Sequence, residues 1–169
     1  DLKGESILTK FYANQEKYSF AFQMMAYISR LSLLKQTVES NPDSIIITER
    51  CLYTDKNVFA KMLYDSDLIE EVEYAIYLKW FDEFQKDYPI NGYIYLKTKP
   101  ETAYERVKKR DRTGESSIPL DYLARCHYYH DNWLKNISKS SIITLDSEND
   151  VNVMKDEIIR VENFIEGKN

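Results

Sequence analysis

The chain has 169 residues, 43% of them apolar, and a formal net charge of −5 at pH 7, which predicts a single domain, residues 1–169, with a core of its own. The negative charge argues against a nucleic-acid partner, and no apolar run approaches the ~20 residues of a membrane span. Two cysteines without CxxC spacing and no visible signal peptide indicate an intracellular, cytoplasmic protein, with a mitochondrial location left open.

In the first half of the chain, predicted helices alternate with one short strand. Apolar residues recur at helical spacing through residues 17–39, and an Asn-Pro-Asp turn ends that helix. Residues 44–48 (SIIIT) are apolar on both faces, which predicts a buried parallel strand. Residues 56–64 and 67–87 have the pattern of two further helices.

The second half of the chain predicts two strands and three helices. The strands are Tyr93–Lys97 and Ser141–Leu145, and the helices cover residues 100–110, 119–135 and 151–166. Strands separated by helices of this length form βαβ units, so we expect an α/β fold in three layers, a parallel sheet with helices on both faces. Ligands of such sheets bind at the carboxyl ends of the strands.

A pair of opposite charges directly follows the strand predicted at residues 44–48. Glu49 and Arg50 stand at its carboxyl end and Asp55 follows shortly after, so we expect these residues to face a site. Two structural explanations fit equally well. A salt bridge could close the strand, or the Asp55 side chain could cap the helix that begins near residue 56.

Two polar side chains interrupt the apolar helix at residues 17–39. Gln23 and Arg30 are seven residues apart, and two helical turns place them on nearly one face. The Gln amide offers a paired donor and acceptor that suit a nucleobase edge, and Arg offers a rigid fork of donors. Spacing alone favours the plainer explanation that both residues face solvent.

A basic cluster, RVKKRDRTGE, runs from residue 106 to residue 115. Its cations near the end of the predicted helix are Arg106, Lys109, Arg110 and Arg112. The helix dipole alone favours positive charge at a helix C-terminus. The functional interpretation is a lid over residues 106–117, whose arginines bind phosphate oxygens in pairs.

Taken together, these stretches resemble the eukaryotic-type deoxynucleoside kinases, the family of deoxycytidine and deoxyguanosine kinases and their viral relatives. The matching text is YSFAFQ, ERCLYTDKNVFAKMLY, EVEYAIYLKWFDEF, GYIYLKTKPETAYERVKKRDRTGE and IPLDYLARCHYYHDNWL, in the family's order over almost the whole chain. The resemblance implies a P-loop-kinase-like fold and a homodimer built on helices 17–39 and 67–87. It also implies transfer of the ATP γ-phosphoryl group, with Mg²⁺, to the 5′-hydroxyl of a deoxynucleoside, a reaction of nucleotide salvage.

On the acceptor side, the resemblance implies a role for each matching residue. Glu49 and Arg50 would be catalytic: Arg50 would contact the 5′-hydroxyl and the transferring phosphate, and Glu49 would organise the phosphate and magnesium side of the site. Gln23 would read the base edge, Phe59 would stack on or flank the base, and Phe22 would help to wall the pocket.

The resemblance also implies the residues that hold the sugar and the phosphate donor. Tyr12 and Glu115 would hold the 3′-hydroxyl of the deoxyribose, and Asp150 would lie where the family wraps the adenine of the donor. The cations on the ATP phosphates would be Arg106, Arg110 and Arg112, of which the last two would also be catalytic.

Arg30 and Asp55 carry the prediction of base preference. In the family, an Arg and an Asp at these positions accompany the deoxycytidine and purine kinases, whereas the thymidine-preferring branch has apolar residues at the Arg position. A charged, hydrogen-bonding pair would fill the space that a 5-methyl group needs. The resemblance therefore implies deoxycytidine or a purine deoxynucleoside in preference to thymidine.

Two parts of the family's pattern have no match in the chain, the phosphate-binding loop GxxxxGK[ST] and the carboxylate that serves as general base. We therefore expect a C-terminal portion of the kinase domain that is inactive alone. Two other functions stay open. A thymidylate-type nucleotide kinase would need an extra cation for the acceptor phosphate, and a non-catalytic remnant would only bind nucleoside.

Overall fold

The computed structural model describes residues 6–111, 118–148 and 155–167. The chain divides into two compact units, Asp1–Tyr88 and Pro89–Asn169. In their described residues, the first unit is helical, and the second combines helices with a parallel sheet. No helix in the described part of the chain is long and apolar enough to cross a membrane.

Side-chain caps begin the first two helices of the first unit. Ser6 precedes α1 (Ile7–Ala13), and its Oγ accepts the backbone N–H of Leu8 at 3.1 Å. Asn14 precedes α2 (Gln15–Ser40), and its Oδ1 accepts the backbone N–H of Lys17 at 3.1 Å. The helix predicted over residues 17–39 is therefore confirmed, with slightly wider bounds.

A helical run with an irregular middle follows α2 in the sequence. Helix α3 (Leu52–Thr54) continues as a π-helical turn over Asp55–Ala60 and then as α4 (Lys61–Tyr64). The helix predicted over residues 56–64 is present but begins earlier, and its first part has π geometry. Turns of this kind are rare in proteins and frequently occur at functional sites.

The last long helix of the first unit is shorter than the predicted helix at residues 67–87. Helix α5 covers Glu71–Phe84 and is followed by a 3₁₀ turn at Gln85–Asp87. Asp67 has a left-handed backbone with φ of 56°, which a helix cannot contain. A capping box between Glu70 and Glu73 then begins α5.

Aromatic side chains dominate the core of the first unit. One buried cluster joins residues of α2, of the helical run after it, and of α5: Tyr27, Leu52, Ala60, Tyr77 and Phe81. The rings of Tyr27 and Tyr77 pack edge to face, with centroids 5.6 Å apart. This core fixes α2 against the segment that carries Asp55.

The prediction of a strand at residues 44–48 is wrong. In the described residues the sheet has two strands, and neither includes this segment. The side chains of Ile45 and Ile47 are 71% and 65% exposed, so the segment is not buried either. Its β-branched residues supply strand propensity, but a strand exists only where a neighbouring backbone pairs with it. Glu49 and Arg50 therefore lie in a bend rather than at the end of a strand.

The second unit holds a parallel sheet. Strands β1 (Tyr93–Lys97) and β2 (Ile142–Asp146) pair from Tyr93 opposite Ile142 to Lys97 opposite Asp146. Helices α6 (Pro100–Arg110) and α7 (Leu120–Leu134) connect the strands, and α8 (Lys155–Ile165) follows them. The prediction of an α/β fold with a parallel sheet is confirmed. Strand β1 and helix α6 have their predicted bounds, and β2 begins one residue later than predicted.

Candidate functional site

Arg30 and Asp55 form an ion pair between α2 and the π-helical turn. Nε of Arg30 lies 2.7 Å from Oδ2 of Asp55, and the side chains are 27% and 3% exposed. Burial raises the pKa of Asp55, although the Arg30 and Arg50 cations act in the opposite direction. The explanation of Asp55 as a helix cap is wrong, because its carboxylate is bound to α2.

Gln23 approaches the same residue from the same helix. Its side chain is buried, and its Nε2 donates to the backbone carbonyl of Asp55 at 3.4 Å. Two turns along α2, Arg30 reaches the carboxylate of Asp55. The explanation that Gln23 faces solvent is therefore wrong. At 3.4 Å this N–H···O contact is longer than an ordinary hydrogen bond.

The backbone at Glu49 and Arg50 is held in a strained bend. Nη1 of Arg30 donates to the carbonyl of Glu49 at 3.1 Å, and Oγ1 of Thr48 donates to the carbonyl of Arg50 at 2.7 Å. Arg50 has a left-handed backbone with φ of 64°, a conformation that costs a residue with a Cβ roughly 1–2 kcal/mol. Backbone strain of this kind is concentrated at functional sites.

Phe59 connects the bend to the π-helical turn. The guanidinium carbon of Arg50 lies 4.7 Å from the centroid of the Phe59 ring, within the range of a cation–π contact. Phe59 belongs to the same π-helical turn as Asp55 and is half-buried. The structure thus links Glu49 and Arg50 to Arg30, Asp55 and Phe59 through direct contacts.

Tyr12 and Phe22 belong to a second aromatic group in the same unit. The rings of Phe22 and Phe11 stack with centroids 4.5 Å apart and an interplanar angle of 18°. The Tyr12 ring lies 5.3 Å from the Phe11 ring. Phe11 is buried, whereas Tyr12 and Phe22 are half-buried. Phe11 therefore fixes the ring of Phe22, the neighbour of Gln23 on α2.

Sequence reasoning missed two buried tyrosines that lie close to Asp55. Burial raises the pKa of Tyr27 to about 12, with a smaller contribution from the Asp55 charge, and the Tyr27 hydroxyl donates to the carbonyl of Trp80 at 3.1 Å. Burial and then Asp55 also raise the pKa of Tyr77. Because Tyr27 follows Gln23 by four residues, the sequence could have placed both on one face of the helix. Tyr77 lies on another helix, so no local spacing connects it with the site.

In the second unit, two of the predicted lid arginines line a cleft. The cleft has a volume of about 240 Å³, and its lining residues are Thr98, Ala103, Arg106, Val107 and Arg110. Arg106 donates to the backbone carbonyl of Glu148 at 3.1 Å. Thr102 and the backbone N–H of Lys99 donate to the Glu148 carboxylate, and these bonds lower its pKa. Glu148, which sequence reasoning missed, therefore anchors the start of α6.

Three predicted site residues, Arg112, Glu115 and Asp150, lie outside the described residues. The lid predicted over residues 106–117 is therefore described only as far as Asp111, which ends α6 with a left-handed φ of 46°. Within the described ranges, no group of three or more His, Cys, Asp or Glu side chains could hold a metal ion.

A family model described as deoxynucleoside kinase matches residues 2–166. The chain is 33% identical to deoxycytidine kinase of Bos taurus in an alignment 180 residues long, which covers 96% of this chain and 69% of the relative. It is 34% identical to deoxycytidine kinase of Homo sapiens over 164 residues, 87% of this chain and 63% of the relative. It is 31% identical to mitochondrial deoxyguanosine kinase of Xenopus laevis over 138 residues, 77% of this chain and 52% of the relative. The chain thus spans about half to two thirds of the length of these relatives.

Proposed function

We propose, because this chain belongs to the deoxynucleoside kinase family, that it forms the nucleoside-binding part of an enzyme that phosphorylates deoxynucleosides. The observation that carries the proposal is the convergence of Gln23 and Arg30 on the buried Asp55. Burying an amide and a carboxylate costs folding free energy unless both are fully bonded. A polar ligand that completes their hydrogen bonds explains this arrangement better than packing does.

The polar groups around Asp55 suit the edge of a nucleobase. The Gln23 amide can donate one hydrogen bond and accept another, as paired recognition of a base requires. The Arg30–Asp55 pair would place charge where a pyrimidine 5-methyl group needs apolar space. We therefore propose deoxycytidine or a purine deoxynucleoside as the preferred substrate over thymidine, which agrees with the substrates in the names of the relatives.

The remaining acceptor residues would surround the sugar and the base. Phe59 would flank the base and Phe22 would wall its pocket, since both rings are fixed by neighbouring side chains. Tyr12, together with Glu115, would hold the 3′-hydroxyl. Hydrogen bonds to that hydroxyl would hold the sugar in one orientation, whichever base it carries.

Arginine side chains would carry most of the charge in phosphoryl transfer. Arg50 would contact the 5′-hydroxyl and the transferring group, with Glu49 beside it. Phosphoryl transfer needs positioning and charge neutralisation more than covalent participation of the protein. The donor phosphates would bind Arg106, Arg110 and Arg112, and Asp150 would lie by the adenine.

Deoxynucleoside kinases use ATP as the phosphate donor, and Mg²⁺ would accompany it. The metal would neutralise charge on the phosphate oxygens. Glu49 would help to organise the phosphate and magnesium side of the site.

The long helices of the first unit would form a homodimer interface. Large apolar side chains are exposed on α2 and α5: Met25, Ile28, Leu33, Val72, Ile76 and Trp80. Apolar side chains exposed together on neighbouring helices are typical of an interface between subunits. Cys51 and Cys126 form no disulfide with each other, which suits a reducing compartment such as the cytoplasm. We propose no nucleic-acid or membrane partner.

The decisive experiment is ATP-dependent phosphorylation of the four deoxynucleosides, with this chain and with the protein as its source encodes it. The proposal expects turnover of deoxycytidine or a purine deoxynucleoside above turnover of thymidine. Calorimetric binding of each nucleoside, without ATP, provides a second readout. If neither protein binds or phosphorylates any of the four, the proposed function is wrong.

A further inference from the structure

Tyr77 carries a buried hydroxyl that forms no hydrogen bond of ordinary geometry with the described residues. The residue is 0% exposed. An unpaired buried hydroxyl costs folding free energy, and replacing Tyr with Phe removes that cost. Because such groups are rare in native proteins, this one calls for an explanation.

The Tyr77 hydroxyl lies next to the polar groups of the candidate nucleoside site. The Gln23 side chain is a hydrogen-bonding neighbour that lowers the pKa of Tyr77, and the nearby negative charge of Asp55 raises it. Burial, the largest effect, raises the pKa of Tyr77, so the hydroxyl keeps its proton at neutral pH. The Gln23 amide itself donates to the Asp55 carbonyl at 3.4 Å, which is long for a hydrogen bond. Two incompletely bonded polar groups are therefore buried side by side.

We propose that Tyr77 is a positioning residue for Gln23, whose amide it hydrogen-bonds once that amide pairs with a nucleobase. The inference rests on the proposed function, because it concerns the same nucleoside site. A hydroxyl can donate to the amide oxygen or accept from the amide nitrogen, so it can complete the bonding of Gln23 in either orientation. An amide held in this way loses less rotamer freedom when the base binds.

The test is Tyr77→Phe, which keeps the ring and removes only the hydroxyl. One lost hydrogen bond is expected to raise both the KM and the Kd of deoxycytidine, or of whichever deoxynucleoside the wild type prefers, by about 3- to 10-fold. The KM of ATP should change less than twofold. The melting temperature should not fall, because the hydroxyl forms no hydrogen bond of ordinary geometry within the described part of the chain.

Tyr27→Phe is the matched control. Tyr27 is equally buried in the same aromatic cluster, but its hydroxyl donates to the Trp80 carbonyl at 3.1 Å. Its removal is expected to lower the melting temperature and to leave the KM and Kd of the nucleoside unchanged. The two Tyr→Phe variants thus separate a positioning role from a structural role.

Gln23→Ala shows whether Tyr77 acts through Gln23. If it does, Tyr77→Phe has little further effect on nucleoside affinity in the Gln23→Ala background. The inference is overturned if Tyr77→Phe leaves nucleoside KM and Kd within twofold of wild type, if it lowers the melting temperature as Tyr27→Phe does, or if its effect persists in full without Gln23. A wild type that binds and phosphorylates no deoxynucleoside overturns the proposed function, and this inference with it.

Discussion

Arg30 and Asp55 form one ion pair in two different environments: the Arg30 side chain is 27% exposed and the Asp55 side chain 3%. If the pair is broken, water can hydrate the guanidinium, but it cannot reach the carboxylate. The same difference explains why burial raises the pKa of Asp55 even with Arg30 at 2.7 Å. Replacing Arg30 and replacing Asp55 should therefore lower the free energy of unfolding by unequal amounts.

Arg30→Met is expected to lower the free energy of unfolding by about 3 kcal/mol at pH 7, because it leaves a buried carboxylate without its cation. Asp55→Asn should cost less than about 1 kcal/mol, since the remaining Arg30 can be hydrated and the Asn carbonyl can accept its N–H. Urea unfolding of both variants at constant pH measures the two values.

Acid should reduce the loss of stability that Arg30→Met causes. The raised pKa of Asp55 means that the folded state holds this proton more tightly than the unfolded state, so the cost of ionising Asp55 grows as pH rises above the ordinary value of 3.8. The stability difference between wild type and Arg30→Met should therefore shrink towards pH 4, and Arg30→Met/Asp55→Asn should recover most of it at pH 7. Equal losses from both single substitutions would contradict the asymmetry.

The base preference of the proposed kinase should depend on the same pair. Arg30→Met, alone and combined with Asp55→Asn, is expected to raise kcat/KM for thymidine relative to deoxycytidine by about tenfold, because apolar space replaces a charged group. Lys35→Met is the control, since Lys35 is exposed on the same helix and forms only a 3.8 Å pair with Glu39. An unchanged ratio in the Arg30 variants would refute the assignment of base preference to this pair.

Asp131 in the second unit should have the opposite pH dependence from Asp55. Partial burial opposes ionisation, but hydrogen bonds from Lys97 at 2.6 Å and Tyr95 at 3.0 Å outweigh it and lower the pKa of Asp131. A lowered folded pKa stabilises the fold above the ordinary value of 3.8, and this contribution disappears as pH falls through the folded value. Asp131→Asn should therefore cost about 1 kcal/mol at pH 7, a small value for a partly exposed group, and progressively less as the pH falls below 3.8.

Denaturant titrations of the wild type and of Asp131→Asn at several pH values measure this cost. A cost that stayed constant as the pH falls below 3.8 would show that the lost interaction does not involve the ionised carboxylate.

Arg110→Met should weaken binding of the phosphate donor. The side chain lines the cleft with Arg106, and loss of one guanidinium on phosphate oxygens is expected to raise the KM of ATP about tenfold. Lys108→Met on the same helix is the matched control, because Lys108 lies over the Tyr104 ring at 4.0 Å and is no part of that lining. Equal effects of the two substitutions on ATP would argue for a general loss of positive charge.

Local signals account for the parts of the fold that were predicted well. The aromatic and β-branched residues of Tyr93–Lys97 and the proline at the first turn of α6 indicate these two elements, because both signals act within a few residues. Residues 44–48 have equally good strand composition, yet strand formation depends on a distant backbone, which no short pattern reports.

The candidate site shows the same limit. Gln23 and Arg30 could be assigned to one helical face from their spacing, but their burial depends on Asp55, which reaches them only through the tertiary fold. The π-helical turn at Asp55–Ala60 has no simple composition signal. Tyr77 reads as an ordinary core aromatic, because an unpaired hydroxyl is a property of its surroundings and not of its sequence.

The exposed stretch at residues 44–48 also affects how the chain behaves at high concentration. It is short, uncharged, rich in β-branched residues and free of proline, the composition of segments that stack into cross-β fibres. Because Ile45 and Ile47 are 71% and 65% exposed, this segment of one copy of the chain can pair with the same segment of another copy without unfolding. Fibre growth followed by thioflavin fluorescence should therefore depend more on a lysine placed at Ile45 than on the stability of either unit.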